Sequence, residues 1–394
     1  MGTTPVVHYF AKEWVLMGHG VHVFHTESSF PIPFYLFGRL FKRVLDARLG
    51  HLIPTHIPEE YDETKDGVNI THLSLKKIMP HGRFSKKQIR RTLNIISSYI
   101  EKDGLPDCFV GHWDNPQLEL LQLLKVKYNR PSCLVFHCNH FGHLINRYGR
   151  DTDVLLNVVD LVGFRNIPAQ VSYESLFGRP AHSFVVPSGV SKPFIIAGEE
   201  FEKGISDVRK FIYVGSLVRR KNPVTVVESL SQSFGRDYFE ITYVGEGDEQ
   251  RRIQKRFKEL GCNGVLTVTG RIPREDVIPY LKQSDVFVMV SRDEVFGVVY
   301  LEAMALGCIT IAARNGGIFG IIEDGVNGFL CEAGNSNELA DIIARIRKMD
   351  YVELKAMSRK AKETAAAFSD ANVANRYMKH LEDMIKTEEI LNNE

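Results

Sequence analysis

The sequence has few features of secreted, membrane-spanning or nucleic-acid-binding proteins. Its six cysteines form no CxxC pair and lie mostly in apolar, strand-like runs, which indicates reduced thiols and neither a disulfide framework nor a zinc site. There is no signal-peptide pattern and no apolar stretch of about 18 residues, so we expect no membrane span. The formal net charge of +1 gives no overall field for nucleic acid. We therefore expect a cytoplasmic protein.

What the sequence does contain is typical of a globular α/β protein with two domains. Of its 394 residues, 44% are apolar and 25% are charged. Strand-like runs alternate with amphipathic helical stretches, which predicts parallel sheets covered by helices. The predicted strands are HVFH, DCFVGHW, SCLVFHCNH, DLVGF and HSFVVPSGV in the first half, and KFIYVGS, FEITYVGEGD, VLTVTGR, DVFVMVS and CITIAA in the second.

The amino terminus departs from the usual order of such a domain. A Rossmann-like domain normally begins with a strand and a glycine-rich turn. Here the first segment predicts a helix, with Thr3 or Thr4 as its N-cap and Pro5 in its first turn. We therefore expect that the first strand either lies upstream of Met1 or is missing from the domain.

Two carboxylates flank a glycine where an irregular segment is predicted to become a helix. Glu294 and Glu302 are separated by seven residues, so one continuous helix would place them on different faces. We therefore place Glu294 in a loop, begin the helix near Gly297 and put Glu302 in its early turns. Free N–H groups of Gly297 and Val298 would then favour a phosphate at the helix start. The alternative is a loop acid and a solvated helix acid.

The same segment carries a resemblance to a known family. The spacing Glu-x7-Glu around Phe296-Gly297, with the flanks SDVFVMVSRDEVFG and LEAMALGCITIAARNGG, resembles retaining glycosyltransferases of family 4 (glycosyl transferases group 1). The resemblance implies the GT-B fold, an α/β architecture of two Rossmann-like domains whose parallel sheets face a central cleft. It divides the chain into an acceptor-binding domain at 1–195, a nucleotide-sugar-binding domain at 196–364 and a helix at 365–394 that returns to the first domain.

The family pattern assigns most donor contacts to the second domain. Lys221 matches the lysine that holds the donor diphosphate; its alternative role is an exposed cation at a helix start. Ser216 stands where the family usually has arginine, and Arg219 or Arg220 could compensate. The TGRIP segment resembles the family segment that packs on the base, and Glu302 matches the ribose ligand. The predicted donor-binding set is Ser216, Arg220, Lys221, Gly245, Arg271, Ile272, Glu294, Phe296, Gly297, Val298 and Glu302.

In the first domain, His137 ends a predicted strand and matches the family histidine near the transferred sugar. A purely structural role for this histidine is the alternative. Metal sites are disfavoured, because the His112, His137, His140 and His143 cluster has no zinc spacing. Asp151-Thr-Asp153 immediately precedes VLLNVVD, which favours a helix cap over a metal-binding Asp-x-Asp motif. The amino-terminal loop predicts acceptor contacts at Gly2 and Thr3.

Two basic segments near the amino terminus are open to two interpretations. They suit either a peripheral site on an anionic membrane, where a lipid-linked acceptor would lie, or ordinary solvated helix faces. The basic residues are Arg39, Lys42, Arg43 and Arg48, followed by Arg83, Lys86, Lys87, Arg90 and Arg91.

Together these features predict an enzyme of hexosyltransferase type (EC 2.4). It would move a sugar, with retention of configuration, from a nucleoside-diphosphate sugar, UDP favoured, to a hydroxyl of a glycan or lipid-linked acceptor. Cell-surface polysaccharide synthesis is the predicted process. Glu294, His137 and Lys221 are the predicted catalytic residues, with no cofactor and no metal. The alternatives are a sugar-nucleotide epimerase or hydrolase, and a non-catalytic protein that binds a nucleotide sugar or a glycan.

Overall fold

A computed structural model describes residues 6–35, 57–77 and 82–393. The chain divides into two compact units. The first unit comprises Met1–Arg165, Gln170–Val186 and Ala374–Glu394, and the second comprises Asn166–Ala169 and Pro187–Val373.

The second unit is built on a six-stranded, wholly parallel sheet in the order β10-β9-β8-β11-β12-β13. Its central strands are continuous apolar runs, and every residue of β11 and β12 is buried, as expected when helices cover both faces of a parallel sheet. The strands are β8 (Lys210–Val214), β9 (Phe239–Val244), β10 (Gly264–Gly270), β11 (Val286–Met289), β12 (Ile309–Ala313) and β13 (Phe329–Cys331).

The first unit contains two sheets. The order β4-β5-β6-β7 is wholly parallel, whereas in β1-β3-β2 the strand β2 runs antiparallel to β3. The strands are β1 (His22–Ser29), β2 (Tyr61–Lys65), β3 (Val68–Lys76), β4 (Phe109–His112), β5 (Ser132–Phe136), β6 (Leu161–Phe164) and β7 (Ser183–Val185).

Strand β2 is an antiparallel addition to the predicted parallel strands of this unit. Asp66 and Gly67, with φ of 50° and 79°, form the two-residue turn of a β2–β3 hairpin. All five residues of β2 are exposed, so the strand has no alternation of apolar residues that a sequence pattern could detect. The ten strands predicted from apolar runs are all present.

Helices connect the strands within each unit. Those of the first unit are α1 (Val6–Leu16), α2 (Lys86–Asp103), α3 (Gln117–Tyr128), α4 (Gly142–Tyr148), α5 (Thr152–Leu156) and α6 (Ile167–Phe177), whose first residues belong to the second unit. The helices of the second unit are α7 (Lys192–Glu199), α8 (Pro223–Phe234), α9 (Gln250–Glu259), α10 (Ile278–Gln283), α11 (Val298–Ala305), α12 (Ser336–Lys348) and α13 (Tyr351–Ala367). The last helix, α14 (Asp370–Asn393), begins in the second unit and continues in the first.

Most of α14 packs in the first unit. Trp14 of α1 donates a hydrogen bond from Nε1 to the Ala374 carbonyl over 3.0 Å, and its ring lies edge-on to Tyr377, with centroids 5.0 Å apart. Phe10 makes a similar edge contact with Tyr377 at 5.3 Å. These buried aromatic side chains join the first and last described helices of the unit.

The predicted helix before β1 is confirmed as α1. Its proposed caps, Thr3 and Thr4, lie outside the described residues. None of the helices in the described parts of the chain combines the length and apolar character needed to cross a bilayer.

Candidate functional site

The two acids of the Glu-x7-Glu pattern lie as their spacing predicts. Gly297 is the N-cap of α11, with φ of 73°, so the helix begins at Val298 and Glu302 falls in its second turn. Glu294 lies in the irregular segment before it. A Cβ atom at Gly297 would lie 2.5 Å from Cε2 of Tyr300, which explains why this left-handed position excludes a side chain. The predicted helix start is confirmed.

Two cations meet Glu294 at this helix start. Lys221 Nζ lies 3.1 Å and Arg220 Nη1 lies 3.6 Å from its Oε2 atom. Lys221 and Glu294 are 15% and 14% exposed as side chains, so water screens their attraction only partly. Arg220 is 48% exposed, so solvent screens its charge more strongly and its attraction for Glu294 is weaker.

The fold brings this cluster together at one edge of the sheet. The cations lie in a short 3-10 helix after β8, and Glu294 follows β11, the strand that pairs with β8. Asn222, which caps α8 with φ of 49°, donates from Nδ2 to the Val290 carbonyl over 2.7 Å. Carboxyl ends of parallel strands meet at one edge, where ligands of open α/β sheets bind.

Ser216 and Gly245 lie at the same edge of the sheet. Ser216 is exposed just after β8. Gly245 follows β9, and a Cβ atom there would lie 2.0 Å from the Gly215 carbonyl oxygen. Gly245 is therefore required for the close approach of these two strand ends, whatever ligand they bind.

Glu302 has a different environment from Glu294. It is 4% exposed, and its Oε1 atom accepts a hydrogen bond from Arg274 Nε at 2.5 Å. Burial raises the pKa of Glu302, and the Arg274 charge and hydrogen bond oppose that rise. Arg274 is not among the donor residues predicted from the sequence. No local pattern in the sequence indicates the contact between Arg274 and Glu302, because the two residues are 28 positions apart.

The remaining predicted donor residues lie nearby in the sequence but differ in exposure. Arg271 is exposed, whereas Ile272 packs against the core of the second unit. Phe296 is 5% exposed and belongs to that core, so only its backbone can meet a ligand. Val298 is half-buried at the start of α11.

In the first unit, His137 forms a pair with His112. His137 follows β5, and its Nε2 atom lies 2.8 Å from Nδ1 of His112, the last residue of β4. Burial lowers the pKa of both rings, that of His112 to about 3, and the charge of Arg165 contributes. Both rings are therefore neutral at pH 7, with one nitrogen donating and the other accepting. Trp113 stacks on His137, with centroids 4.1 Å apart.

The other histidines and the Asp151–Asp153 motif have contacts of other kinds. Within the described residues, no three His, Cys, Asp or Glu side chains are arranged to hold a metal ion. His143 donates from Nδ1 to the His140 carbonyl over 3.0 Å. Asp151 is the N-cap of α5, as predicted, but its side chain makes no capping hydrogen bond and instead lies 3.5 Å from Arg83.

The structure thus brings Lys221, Arg220, Glu294, Gly297 and Val298 together in the second unit. His137 lies in the first unit. The predicted acceptor residues Gly2 and Thr3 lie outside the described residues.

Residues 198–364, which carry both acids and both cations, match the family profile described as Glycosyl transferases group 1. This match covers most of the second unit and less than half of the chain. The resemblance inferred from the Glu-x7-Glu segment is confirmed at that level.

Two relatives and one solved structure are similar to this chain. N-acetyl-alpha-D-glucosaminyl L-malate synthase of Bacillus anthracis is 28% identical over 177 residues, which are 45% of this chain and 46% of that protein. The amylovoran biosynthesis glycosyltransferase AmsK of Erwinia amylovora is 27% identical over 285 residues, 67% of each chain. The chain thus matches less than half of the first relative and two thirds of the second.

The solved structure is Alr3699/HepE of Anabaena in complex with UDP. Its TM-score is 0.63 at 18% identity, and the alignment covers 92% of this chain and 100% of that one. At this identity the likeness shows the fold alone. It confirms the predicted α/β class and the GT-B architecture of two Rossmann-like units.

Proposed function

We propose that the protein is a retaining glycosyltransferase that moves a sugar from a nucleoside-diphosphate sugar to a hydroxyl of a glycan or lipid-linked acceptor. The observation that carries the proposal is the Glu294–Lys221 pair at the left-handed start of α11. UDP is the favoured nucleotide, and the UDP held by the HepE structure supports that choice. The role of AmsK in amylovoran biosynthesis supports a place in cell-surface polysaccharide synthesis.

The donor diphosphate would bind between the cations and the helix start. Lys221 and Arg220 supply charge-assisted hydrogen bonds, and the N–H groups of Gly297 and Val298 supply the positive end of the helix dipole. These donors act where negative charge develops as the sugar–phosphate bond breaks. No cofactor and no metal enters this scheme.

Donor binding would also release Glu294. Its carboxylate lies 3.1 Å from Lys221 Nζ and 3.6 Å from Arg220 Nη1. A diphosphate carries more charge than one carboxylate and competes for both cations. Glu294 then becomes available to accept hydrogen bonds from sugar hydroxyls and to position the ring. Glu302 accepts from the ribose hydroxyls.

The proposed transfer step requires no base from the protein. The bond between the anomeric carbon and the phosphate oxygen breaks, and the nucleotide leaves with the electron pair. The acceptor oxygen bonds to the same face of the oxocarbenium-like sugar and gives its proton to the departing phosphate oxygen. The neutral ring of His137 hydrogen-bonds a sugar hydroxyl, and its lowered pKa means that it takes no part as a cation.

A peripheral contact with an anionic membrane accompanies this proposal. An open groove of about 590 Å³ follows α2 and is lined by Lys87, Arg90 and Arg91. Glu60 Oε2 lies 2.5 Å from Arg91 Nη2 and neutralises its charge. Lys87 and Arg90 remain to attract anionic lipid to this groove. Sedimentation with anionic and neutral vesicles tests the contact: binding to anionic vesicles supports it, and equal binding to both kinds contradicts it. The basic residues at 39–48 lie outside the described residues.

The direct test is turnover of a Glu294→Ala variant with UDP-sugars and a panel of acceptors. We expect no transfer although circular dichroism is unchanged, whereas Glu363→Gln, which removes an acid exposed on α13, keeps wild-type turnover. Unchanged transfer by Glu294→Ala contradicts the assignment of this residue.

Three outcomes with the wild-type protein contradict the proposed reaction itself. Release of free sugar without an acceptor indicates a hydrolase, and release of an epimer indicates an epimerase. Donor binding without turnover on any acceptor indicates a non-catalytic binding protein.

A further inference from the structure

We propose that Arg274 is a positioning residue for the donor. It keeps the buried Glu302 ionised and holds one carboxylate oxygen, so that the other oxygen accepts from the ribose hydroxyls. This inference rests on the proposed function, in which Glu302 is the ribose ligand. It goes beyond that function by assigning a role to a residue with no direct place in the donor site.

Among the residues that the structure describes, Arg274 is the charged partner of Glu302 at hydrogen-bond distance. Arg274 Nε reaches Oε1 at 2.5 Å, and the side chains of Arg274 and Glu302 are 25% and 5% exposed. The guanidinium is fixed from another side by Phe194, whose ring centroid is 5.7 Å away. Arg274 is thus held in place and is not a solvated side chain that meets the acid by chance.

Other charges near α11 face elsewhere. Lys203 and Lys362 lie beside Gly307, beyond the end of the helix, and donate to backbone carbonyls, among them those of Leu281 and Gly198, each over 2.8 Å. At the other end, Lys221 and Arg220 are paired with Glu294. The remaining charged residues of the packed helices α7 and α13 are exposed: Lys192, Glu199, Glu353, Lys355, Arg359, Lys360 and Glu363.

The chemistry of a ribose diol makes ionisation of Glu302 decisive. Two hydroxyl donors require acceptor atoms, and an ionised carboxylate is an acceptor only, whereas its protonated form is itself a donor. Burial already raises the pKa of Glu302, and Arg274 opposes that rise. Without Arg274 the pKa of Glu302 lies higher still, so donor affinity is lost at a higher pH as the solution is acidified.

The experiment is calorimetric titration of UDP-glucose into wild-type protein, Arg274→Met and Arg274→Lys from about pH 5 to about pH 8.5. UDP-glucose has no terminal phosphate group, whose pKa of about 6 would obscure the profile. For Arg274→Met we expect affinity to fall about tenfold per pH unit on the acid side, with an inflection at higher pH than in wild type. Arg274→Lys moves the inflection back toward wild type.

Matched variants separate this role from a merely structural one. Arg359→Met removes an exposed arginine that pairs with Glu363 at 3.2 Å, and its profile should equal that of wild type. Glu302→Gln cannot ionise, so its affinity should be low and flat with pH, and adding Arg274→Met should change it little. This second variant keeps the test valid if Arg274→Met folds poorly.

The results also distinguish this inference from the proposed function. If wild type binds UDP-glucose and the Arg274→Met profile has the wild-type inflection, or is weaker by one factor at all pH values, the positioning role is wrong and the donor site stands. If wild type binds no UDP-glucose at any pH, the proposed function fails, and this inference fails with it.

Discussion

Removal of Lys221 should separate the chemical contribution of this cation from its contribution to stability. Its Nζ atom lies 3.1 Å from Glu294 Oε2, and at an effective dielectric constant of about 20 the Coulomb energy is about 5 kcal/mol. Desolvation of both groups offsets much of this, and Arg220 remains near Glu294 in Lys221→Met. We therefore expect a loss of about 1–3 kcal/mol in the free energy of unfolding.

The effect on turnover should be larger. A preorganised donor at a leaving group contributes about 10²–10³-fold to kcat, so Lys221→Met should release UDP about 10²–10³-fold more slowly from UDP-glucose with a suitable acceptor. Urea unfolding gives the stability change in the same preparation. The matched control is Lys355→Met, which breaks an exposed pair with Glu202 at 2.6 Å and should change neither quantity by much. Wild-type turnover in a folded Lys221→Met protein would refute the electrostatic argument.

Two further predictions concern stability. Gly297→Ala should lower the free energy of unfolding by about 1–3 kcal/mol and abolish donor binding, because its Cβ meets the Tyr300 ring; the control Gly261→Ala, with φ of 61° and open space around it, should lose only about 1 kcal/mol. His112 has a folded-state pKa of about 3 against about 6.5 in the unfolded chain. Between those values the unfolded chain binds the extra proton, so the contribution of His112 to the free energy of unfolding falls by about 1.4 kcal/mol for each unit by which the pH is lowered. His112→Phe should make the pH dependence of stability shallower by about this amount in urea titrations, while the contribution of His137 remains; an unchanged slope would show that the imidazole does not titrate as described.

The local features of the donor site followed directly from the sequence. The helix start at Gly297 was predictable because a glycine before a buried helical run and acids on either side define it within a few residues. Lys221 came from the family pattern, and its contact with Glu294 requires two strands that are neighbours in the sheet but distant in the chain.

What the sequence could not reveal depends on such distant contacts. The Arg274–Glu302 pair and the His112–His137 pair join residues 28 and 25 positions apart, with no local period to mark them. The hairpin strand β2 was missed because its charged, fully exposed residues lack the apolar alternation on which strand prediction depends.

A nucleoside-diphosphate-sugar site in the second unit should be detectable by thermal unfolding with a panel of nucleoside diphosphates and their sugars. A ligand at a hundred times its dissociation constant adds about 2.7 kcal/mol to the free energy of unfolding. We expect a selective rise in Tm with one nucleotide, UDP first, that is lost in Lys221→Met. No rise with any nucleotide would contradict it.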